Sequence, residues 1–549
     1  MNPLEKFRKE CQEIAGEYSR LLEKPKEHAD LALPCFVLAK ELQKSPVEIA
    51  SNISKEFQDK IKHGSLVKEV KVVGPYINFY INHEEFSKQV LAQVIKEKKK
   101  YGSSKKNKQK IMVEFAHPNT HKLFHIGHLR NITTGESLSR ILEFNGSKVI
   151  RANYQGDVGM HIAKCIWGIR KLGMIKTKKL DDKIRFLGKA YATGSKAFEE
   201  DDIAKQQIIE INKHVYNKDK KIMKLWKTTR KWSLEYFNRI YKRVYTKFDR
   251  LYFESEVATS GKTIALESVK DGILKESDGA IIFEGEKYNL HNRVFINSAG
   301  LPTYEAKDLG LAKLQLKEFG PDLIVHVLGP EQLGYTQVLF KVLEEIFPKM
   351  KNKQFHLAYG WVKLREGKMS SRTGNVIEGE WLLDELKKTI LEKYPKSKKI
   401  SESIAIAAAK YYFLKVSTPT EISFDINEAV SLEGNTGPYI EYTYARANSI
   451  LKKSKKKPKI KTLKDQLEMN LTKKISEFPE TVEKSAKDLK PNLIANYTYD
   501  LATLFNEYYQ TSRIIGNENE QAKLTLVLGV KQVLENSLNL LGIKPLEKM

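Results

Sequence analysis

Cysteine is nearly absent from this chain. Cys11, Cys35 and Cys165 are its only three in 549 residues, and no two of them form a CxxC pair. That usage excludes a disulfide framework, argues against a structural zinc cluster so that no metal site is expected, and suits a reducing, cytoplasmic setting. Long apolar runs are missing too. Nothing approaches the ~18–20 apolar residues that cross a bilayer, and Met1-Asn2-Pro3-Leu4-Glu5-Lys6 has no basic patch followed by an apolar stretch. A soluble protein without a membrane partner is expected. Acid is scarce beside base, with 68 Asp and Glu against 94 Lys and Arg, a surplus of 26 positive charges. Such a surplus favours an anionic partner, nucleic acid above all, although a chain rich in solvated lysines carries the same count.

What is present is enough for several cores. Hydrophobic residues make up 41% of the chain, and its length suggests two to four domains. Residues 1 to about 95 mix amphipathic helical patterns with strand-like runs, ending in Val72 to Ile81. Lys96 to Lys110 is almost all Lys, Gly, Ser and Asn and reads as a linker with no apolar face to bury. A strand follows at Ile111–Phe115. Helical periodicity then runs through Leu129, Ile132, Leu138, Ile141 and Leu142 to an Asn145-Gly146 stop, and a second strand opens at Lys148. Strand, loop, helix, strand is how a parallel α/β sheet begins, and Ile324–Leu328 reads as a later strand of it. Residues of about 165–290, Lys-rich and mostly helical with a hairpin near Asp278-Gly279, read as an insertion into that sheet. From about residue 400 the pattern is helical, broken by the lysine run Lys452–Lys461.

The loop after the first strand reads Ala116-His117-Pro118-Asn119-Thr120-His121-Lys122-Leu123-Phe124-His125-Ile126-Gly127-His128. A helix starting at Gly127 or His128 directs free backbone N–H groups at an anion. Gly127 allows a flat adenine or ribose close to the backbone. His125 and His128, three apart on the first turn, can donate to one phosphate. A zinc pair is the rival reading, but helical His ligands favour i,i+4 spacing with a third ligand close by. About 240 residues later comes Lys368-Met369-Ser370-Ser371, on a Ser- and Gly-containing loop suited to closing over a triphosphate. His-Ile-Gly-His followed by Lys-Met-Ser-Ser, with an insertion between them, resembles the signature of class I aminoacyl-tRNA synthetases.

The resemblance narrows to the arginyl-tRNA synthetase family and runs over nearly the whole chain. Glu114-Phe115-Ala116-His117-Pro118-Asn119 before the HIGH motif is similar to that family's signature, with His117 where Ser is common. Gly156-Asp157-Val158-Gly159 is similar to its GDWG segment, with Val158 in place of Trp. Ser298 to Asp308 and Glu433 to Arg446 resemble further family segments. The resemblance implies a multidomain α/β protein. Residues 1–107 would form an α+β N-terminal domain at the tRNA elbow. Residues 108–395 would form a Rossmann-like parallel-sheet catalytic domain with an inserted helical segment, and residues 396–549 an all-α anticodon-binding domain.

The implied reaction is ATP-dependent formation of arginyl-adenylate and transfer of arginine to tRNA-Arg, by a monomer, with Mg²⁺ accompanying ATP. His125, Gly127, His128, Lys122, Lys368, Ser370 and Ser371 would serve catalysis, with His125, His128, Lys368 and Met369 on ATP. Either Lys122 or Lys368 can carry the phosphate charge. Arginine is a planar cation with five donors and needs a carboxylate beside a flat or polar neighbour. Tyr304 and Asp308, at i,i+4, can supply both from one helix face, although the same spacing fits an ordinary surface pair. By resemblance Glu114, His117, Pro118, Asn119, His128, Asn153 and Gln337 complete the substrate site. For tRNA, Tyr76 and Asn78 at the Gly74-Pro75 turn, and Tyr442, Arg446, Asn496 and Tyr497 in the helical domain, offer stacking and hydrogen bonding. Tyr76 can equally pack inward, and tyrosines at helical spacing often form core.

Overall fold

The computed structural model describes residues 2–25, 29–365 and 377–549. Lys368, Met369, Ser370 and Ser371 therefore lie outside the described residues. The N-terminal unit is a small antiparallel sheet of β1 (Leu31–Pro34), β2 (Val67–Val73) and β3 (Tyr76–Ile81), ordered β1-β3-β2. Ile77, Phe79 and Ile81 alternate along β3 and point into the core against the helices Pro3–Ala15 and Pro46–Asp59. The turn into β3 is made at Gly74, whose φ of 57° suits glycine.

The segment expected to be a free linker is anchored. Tyr101 is fully buried, stacks on Phe478 with centroids 6.2 Å apart, and donates its hydroxyl to the Ile475 carbonyl at 3.1 Å. One aromatic residue among the lysines therefore ties residues 96–110 to the C-terminal helices.

Next come β4 (Lys110–Glu114), β5 (Lys148–Gln155), β6 (Arg250–Phe253), β7 (Lys275–Ser277), β8 (Ala280–Phe283), β9 (Arg293–Ile296), β10 (Leu323–Leu328) and β11 (Gln354–Ala358). Five of them build a wholly parallel sheet ordered β11-β10-β4-β5-β6, while β7, β8 and β9 form a separate antiparallel sheet. The single insertion expected over about 165–290 is thus two. Helices between Met160 and Arg243 lie between β5 and β6, the chain returns to the main sheet at β6, and the antiparallel sheet follows the helix Glu254–Lys270. In the main sheet the strand order reverses between β4 and β10, and their C-terminal ends frame the crevice where ligands of parallel α/β sheets sit.

Two short strands, β12 (Val362–Leu364) and β13 (Ile422–Phe424), pair in parallel, and β13 interrupts the helical pattern expected beyond residue 400. The C-terminal helices Gly437–Lys453, Gln466–Ser476, Phe478–Asp488, Asn492–Thr511 and Glu520–Leu540 complete the chain.

Close glycine contacts set the helix positions around the crevice. A methyl group on Gly261 would lie 1.9 Å from the Ala306 carbonyl oxygen, and one on Gly310 would lie 2.4 Å from that of Val257. The helices Glu254–Lys270 and Tyr304–Glu318 therefore meet backbone to backbone. Gly261→Ala is expected to cost about 1–3 kcal/mol through overpacking. Thermal denaturation checks this, and an unchanged Tm contradicts the contact.

Candidate active site

The turn after β4 is built from strained backbone. Ala116, His117 and His121 have φ of 82°, 50° and 63°, a region that L-residues enter at about 1–3 kcal/mol each. Buried amides hold it there. Asn131 Oδ1 accepts the Ala116 N–H at 2.7 Å while its Nδ2 donates to the Val327 carbonyl on β10 at 2.7 Å. Asn153 Oδ1 accepts the His117 N–H at 3.2 Å, and its Nδ2 donates to Tyr241 Oη at 3.0 Å. Both ends of the Asn153 amide are used, so this residue, expected to touch substrate, is positioned to hold the turn. Pro118 is buried within it, and the Asn119 amide covers Gly156, where a methyl group would fall 2.2 Å from Asn119 Oδ1. Glycine at 156 is required for that approach.

His125 caps the helix Ile126–Phe144. Its ring stacks on that of His128 with centroids 3.6 Å apart, and its backbone N–H donates to His128 Nδ1 at 3.1 Å. An accepting Nδ1 puts the His128 proton on Nε2. Burial, helped by the Lys122 charge, lowers the His125 pKa to about 4, and burial with His125 beside it drives that of His128 well below the usual value. Both rings are therefore neutral donors near pH 7. Gly127 has a second reason to be glycine, since a methyl group there would sit 3.0 Å from the His125 ring. The Ile126 N–H goes to the Ile377 carbonyl at 2.8 Å, so this helix start offers fewer free amides than expected. Together with the Gly379 N–H to Phe124 carbonyl bond at 2.9 Å, that contact joins the HIGH loop to the chain just after residues 366–376. Lys122 lies over the Tyr191 ring, 5.3 Å from its centroid.

Across the crevice, Asp308 accepts from the Tyr335 hydroxyl. Burial raises its pKa to about 7; the Tyr335 bond opposes this, and Glu114 and Glu254 add to it. Tyr304 is on the same helix face and exposed, with Lys307 Nζ 4.4 Å from its ring centroid. Lys307 is itself buried in an ion pair with Glu254 at 2.8 Å. Glu114 is spoken for by a buried pair with His326 at 3.1 Å and by Gln315 at 2.6 Å. Burial, the largest single influence, favours its neutral form, but the charge and hydrogen bond of His326, with His117 and the Gln315 bond, together hold the carboxyl below its usual value. His117 sits between the carbonyls of Tyr154 and Glu114, both at 3.3 Å.

Gln337 departs from expectation. It is exposed, and two residues along a helix place it about 200° from Tyr335, the residue that reaches Asp308. Sequence reasoning missed Tyr335, 27 positions from Asp308 and marked by no local pattern.

Two of the expected tRNA contacts are buried. Asn78 lies within β3, and Tyr497 donates its hydroxyl to the Lys474 carbonyl at 2.7 Å against Phe478. Both pack as core, because periodicity identifies an element but not its outward face. Tyr76 is half-buried in edge contact with exposed Phe36, and Asn496 is exposed. Arg446 lies between the rings of Tyr442 and Tyr509, 4.7 and 4.8 Å from their centroids.

A family model for class I tRNA synthetases (R), catalytic domain, matches residues 90–426. The arginyl-tRNA synthetase N-terminal domain matches residues 4–81, and the DALR anticodon-binding domain matches residues 440–549. The chain belongs to the arginyl-tRNA synthetase family. It is 36% identical to the arginine–tRNA ligase of Borreliella afzelii over 548 residues, covering 95% of this chain and 92% of that protein. It is 34% identical to the arginine–tRNA ligase of Treponema denticola over 574 residues, covering 98% and 96%. The fold is that of Thermus thermophilus arginyl-tRNA synthetase, with a TM-score of 0.79 at 23% identity over 99% of this chain and all of that one. The family's GDWG segment is here Gly156–Gly159, where Asp157 accepts from Ser255 and Arg230 and Val158 is core.

Asn131→Ala would leave the Ala116 N–H and Val327 carbonyl unpaired. A loss of about 1–3 kcal/mol is expected in denaturant unfolding; a variant of parent stability would mean the strained turn holds without this amide.

Proposed function

We infer that the chain is an arginine–tRNA ligase that uses ATP. The observation carrying this reading is the Asp308 carboxyl held by Tyr335, together with the stacked His125 and His128, in a chain of the arginyl-tRNA synthetase family. The guanidinium of arginine pairs with Asp308, beside Tyr304 and Tyr335. In the first step an arginine carboxylate oxygen bonds to the α-phosphorus of ATP, and the bond from that phosphorus to the β-phosphate oxygen breaks, releasing pyrophosphate. In the second, a hydroxyl of the terminal tRNA ribose attacks the arginyl carbonyl and AMP leaves with the bonding pair. No side chain acts as nucleophile; positioning and charge stabilisation do the work. Nε2–H of His128 and the His125 ring donate to the α-phosphate, with Lys122 alongside and Lys368 from the segment outside the described residues.

Mg²⁺ is proposed as the ion carried by the triphosphate. The groups around His125 are nitrogen donors and a lysine, whereas Mg²⁺ prefers oxygen ligands. The ion thus enters as part of the substrate. We further propose residues 1–107 as the tRNA-elbow unit, 108–395 as the core of the catalytic unit and 396–549 as the anticodon unit, with Arg446 and Tyr442 on RNA. A cytoplasmic monomer is proposed as its state.

Pyrophosphate exchange with each of the twenty amino acids, with and without total tRNA, tests the assignment. Signal with arginine is expected, and signal with another amino acid instead would overturn it. Asp308→Asn is expected to weaken arginine by about 2–3 kcal/mol, roughly a hundredfold in KM.

A pH dependence follows from the raised Asp308 pKa. Below about pH 7 the free site holds a proton that the guanidinium must displace, so affinity is full above 7 and weakens up to about tenfold per unit below it. Binding isotherms between pH 5.5 and 8 check the slope, and a flat profile contradicts it. The two histidines stay neutral across that range and add no slope of their own.

A further inference from the structure

Arg130 sits two residues past His128 on the helix Ile126–Phe144 and is 1% exposed. Its guanidinium meets carbonyls. Nη1 donates to Gly360 at 2.5 Å and Trp361 at 3.2 Å, and Nη2 donates to Thr418 at 2.9 Å and Thr420 at 2.7 Å. Burial lowers its pKa to about 10, so the group stays cationic at neutral pH. A buried cation satisfied by four backbone oxygens is costly to desolvate and is retained where its geometry is needed.

Those oxygens belong to two segments that run side by side. One enters β12 and the other enters β13, and they are bonded directly as well, Gly360 N–H to the Thr418 carbonyl at 3.0 Å and Ile422 N–H to that of Trp361 at 2.8 Å. There is no spare room, since a methyl group on Gly360 would lie 2.5 Å from the Thr420 carbonyl. β12 ends at Leu364, shortly before the Lys368 segment. On the far side of that segment, Ile377 is bonded to Ile126. Both flanks of residues 366–376 are thus fastened to the helix that carries His125 and His128, one by the Ile126 amide and the other by Arg130.

We propose that Arg130 is a positioning residue for the ATP half of the reaction, holding the helix whose first turn carries His125 and His128 in register with β12 and β13. A planar fork suits the task because one group must reach carbonyls of two neighbouring segments at once; a lysine ammonium is a single point of charge. The inference rests on the reading that ATP binds at His125 and His128. Arginine is held by a different helix, Tyr304–Glu318, whose Asp308 and Tyr304 take no contact from Arg130. The two substrates should therefore respond differently to its loss.

The test is pyrophosphate exchange on the full chain with tRNA present. Arg130→Lys is expected to raise KM for ATP about tenfold or more and to lower kcat, with KM for arginine changed by less than about twofold. Gly360→Ala disturbs the same pair of segments with Arg130 intact and should give the same split, which keeps the test decisive if R130K fails to fold. Equal losses for both substrates, or parent kinetics in G360A, overturn the proposal. His128→Ala separates the two levels of inference. If it leaves ATP kinetics unchanged, the nucleotide reading itself fails; if it cripples them while R130K and G360A behave as the parent, only the clamp is wrong.

Discussion

The helix Ile126–Phe144 is buried along most of its length, and that single constraint organises the molecule. Fourteen of its nineteen residues are buried, seven of them polar or charged. None of the seven can turn to solvent, so each needs a partner in the surrounding structure. Asn131 finds the strained turn and β10, Arg130 finds the approaches to β12 and β13, and Glu136 pairs with Arg140 and Arg151. Ser137 donates to Leu540 and Arg140 to Asn539, so even the end of the last helix is fastened to it. The helix that begins at the stacked His125 and His128 is thereby the common support of the sheet, the flanks of residues 366–376 and the C-terminal helices.

Electrostatics divides the crevice in two. Around His125 and His128 burial strips the imidazoles of charge and leaves them as fixed neutral donors, oriented by a backbone hydrogen bond. Around Asp308 burial raises a carboxyl toward neutrality until a cation arrives. Both halves use desolvation, with opposite purposes. In the proposed reaction the first would supply preorganised dipoles for a developing phosphate charge, and the second a site whose ionisation is completed by its ligand.

What could be read from the sequence was what is local. The HIGH run, Lys-Met-Ser-Ser, and the i,i+4 pair of Tyr304 and Asp308 are contiguous or one turn apart, and the central strands at Ile111 and Ile324 are mostly apolar runs, each carrying one polar residue of the Glu114–His326 pair. The rest depended on contacts at long separation. β6 is four residues in a helical neighbourhood, which hid the return to the sheet and merged two insertions into one. Asn153 was assigned to substrate although its amide is consumed by the turn and by Tyr241. Tyr497 and Asn78 suit RNA by residue type, yet both are buried, because periodicity does not say which face a helix or strand buries. Tyr335 was invisible because nothing near it announces Asp308.

The most direct measurement is a crystal structure of the chain with a non-hydrolysable analogue of arginyl-adenylate. The account predicts the guanidinium on Asp308 beside Tyr335, and the group replacing the α-phosphate within reach of His125 and of His128 Nε2, with the helix Ile126–Phe144 unmoved. An analogue bound with its guanidinium away from Asp308, or with its phosphate mimic remote from the two imidazoles, would contradict it.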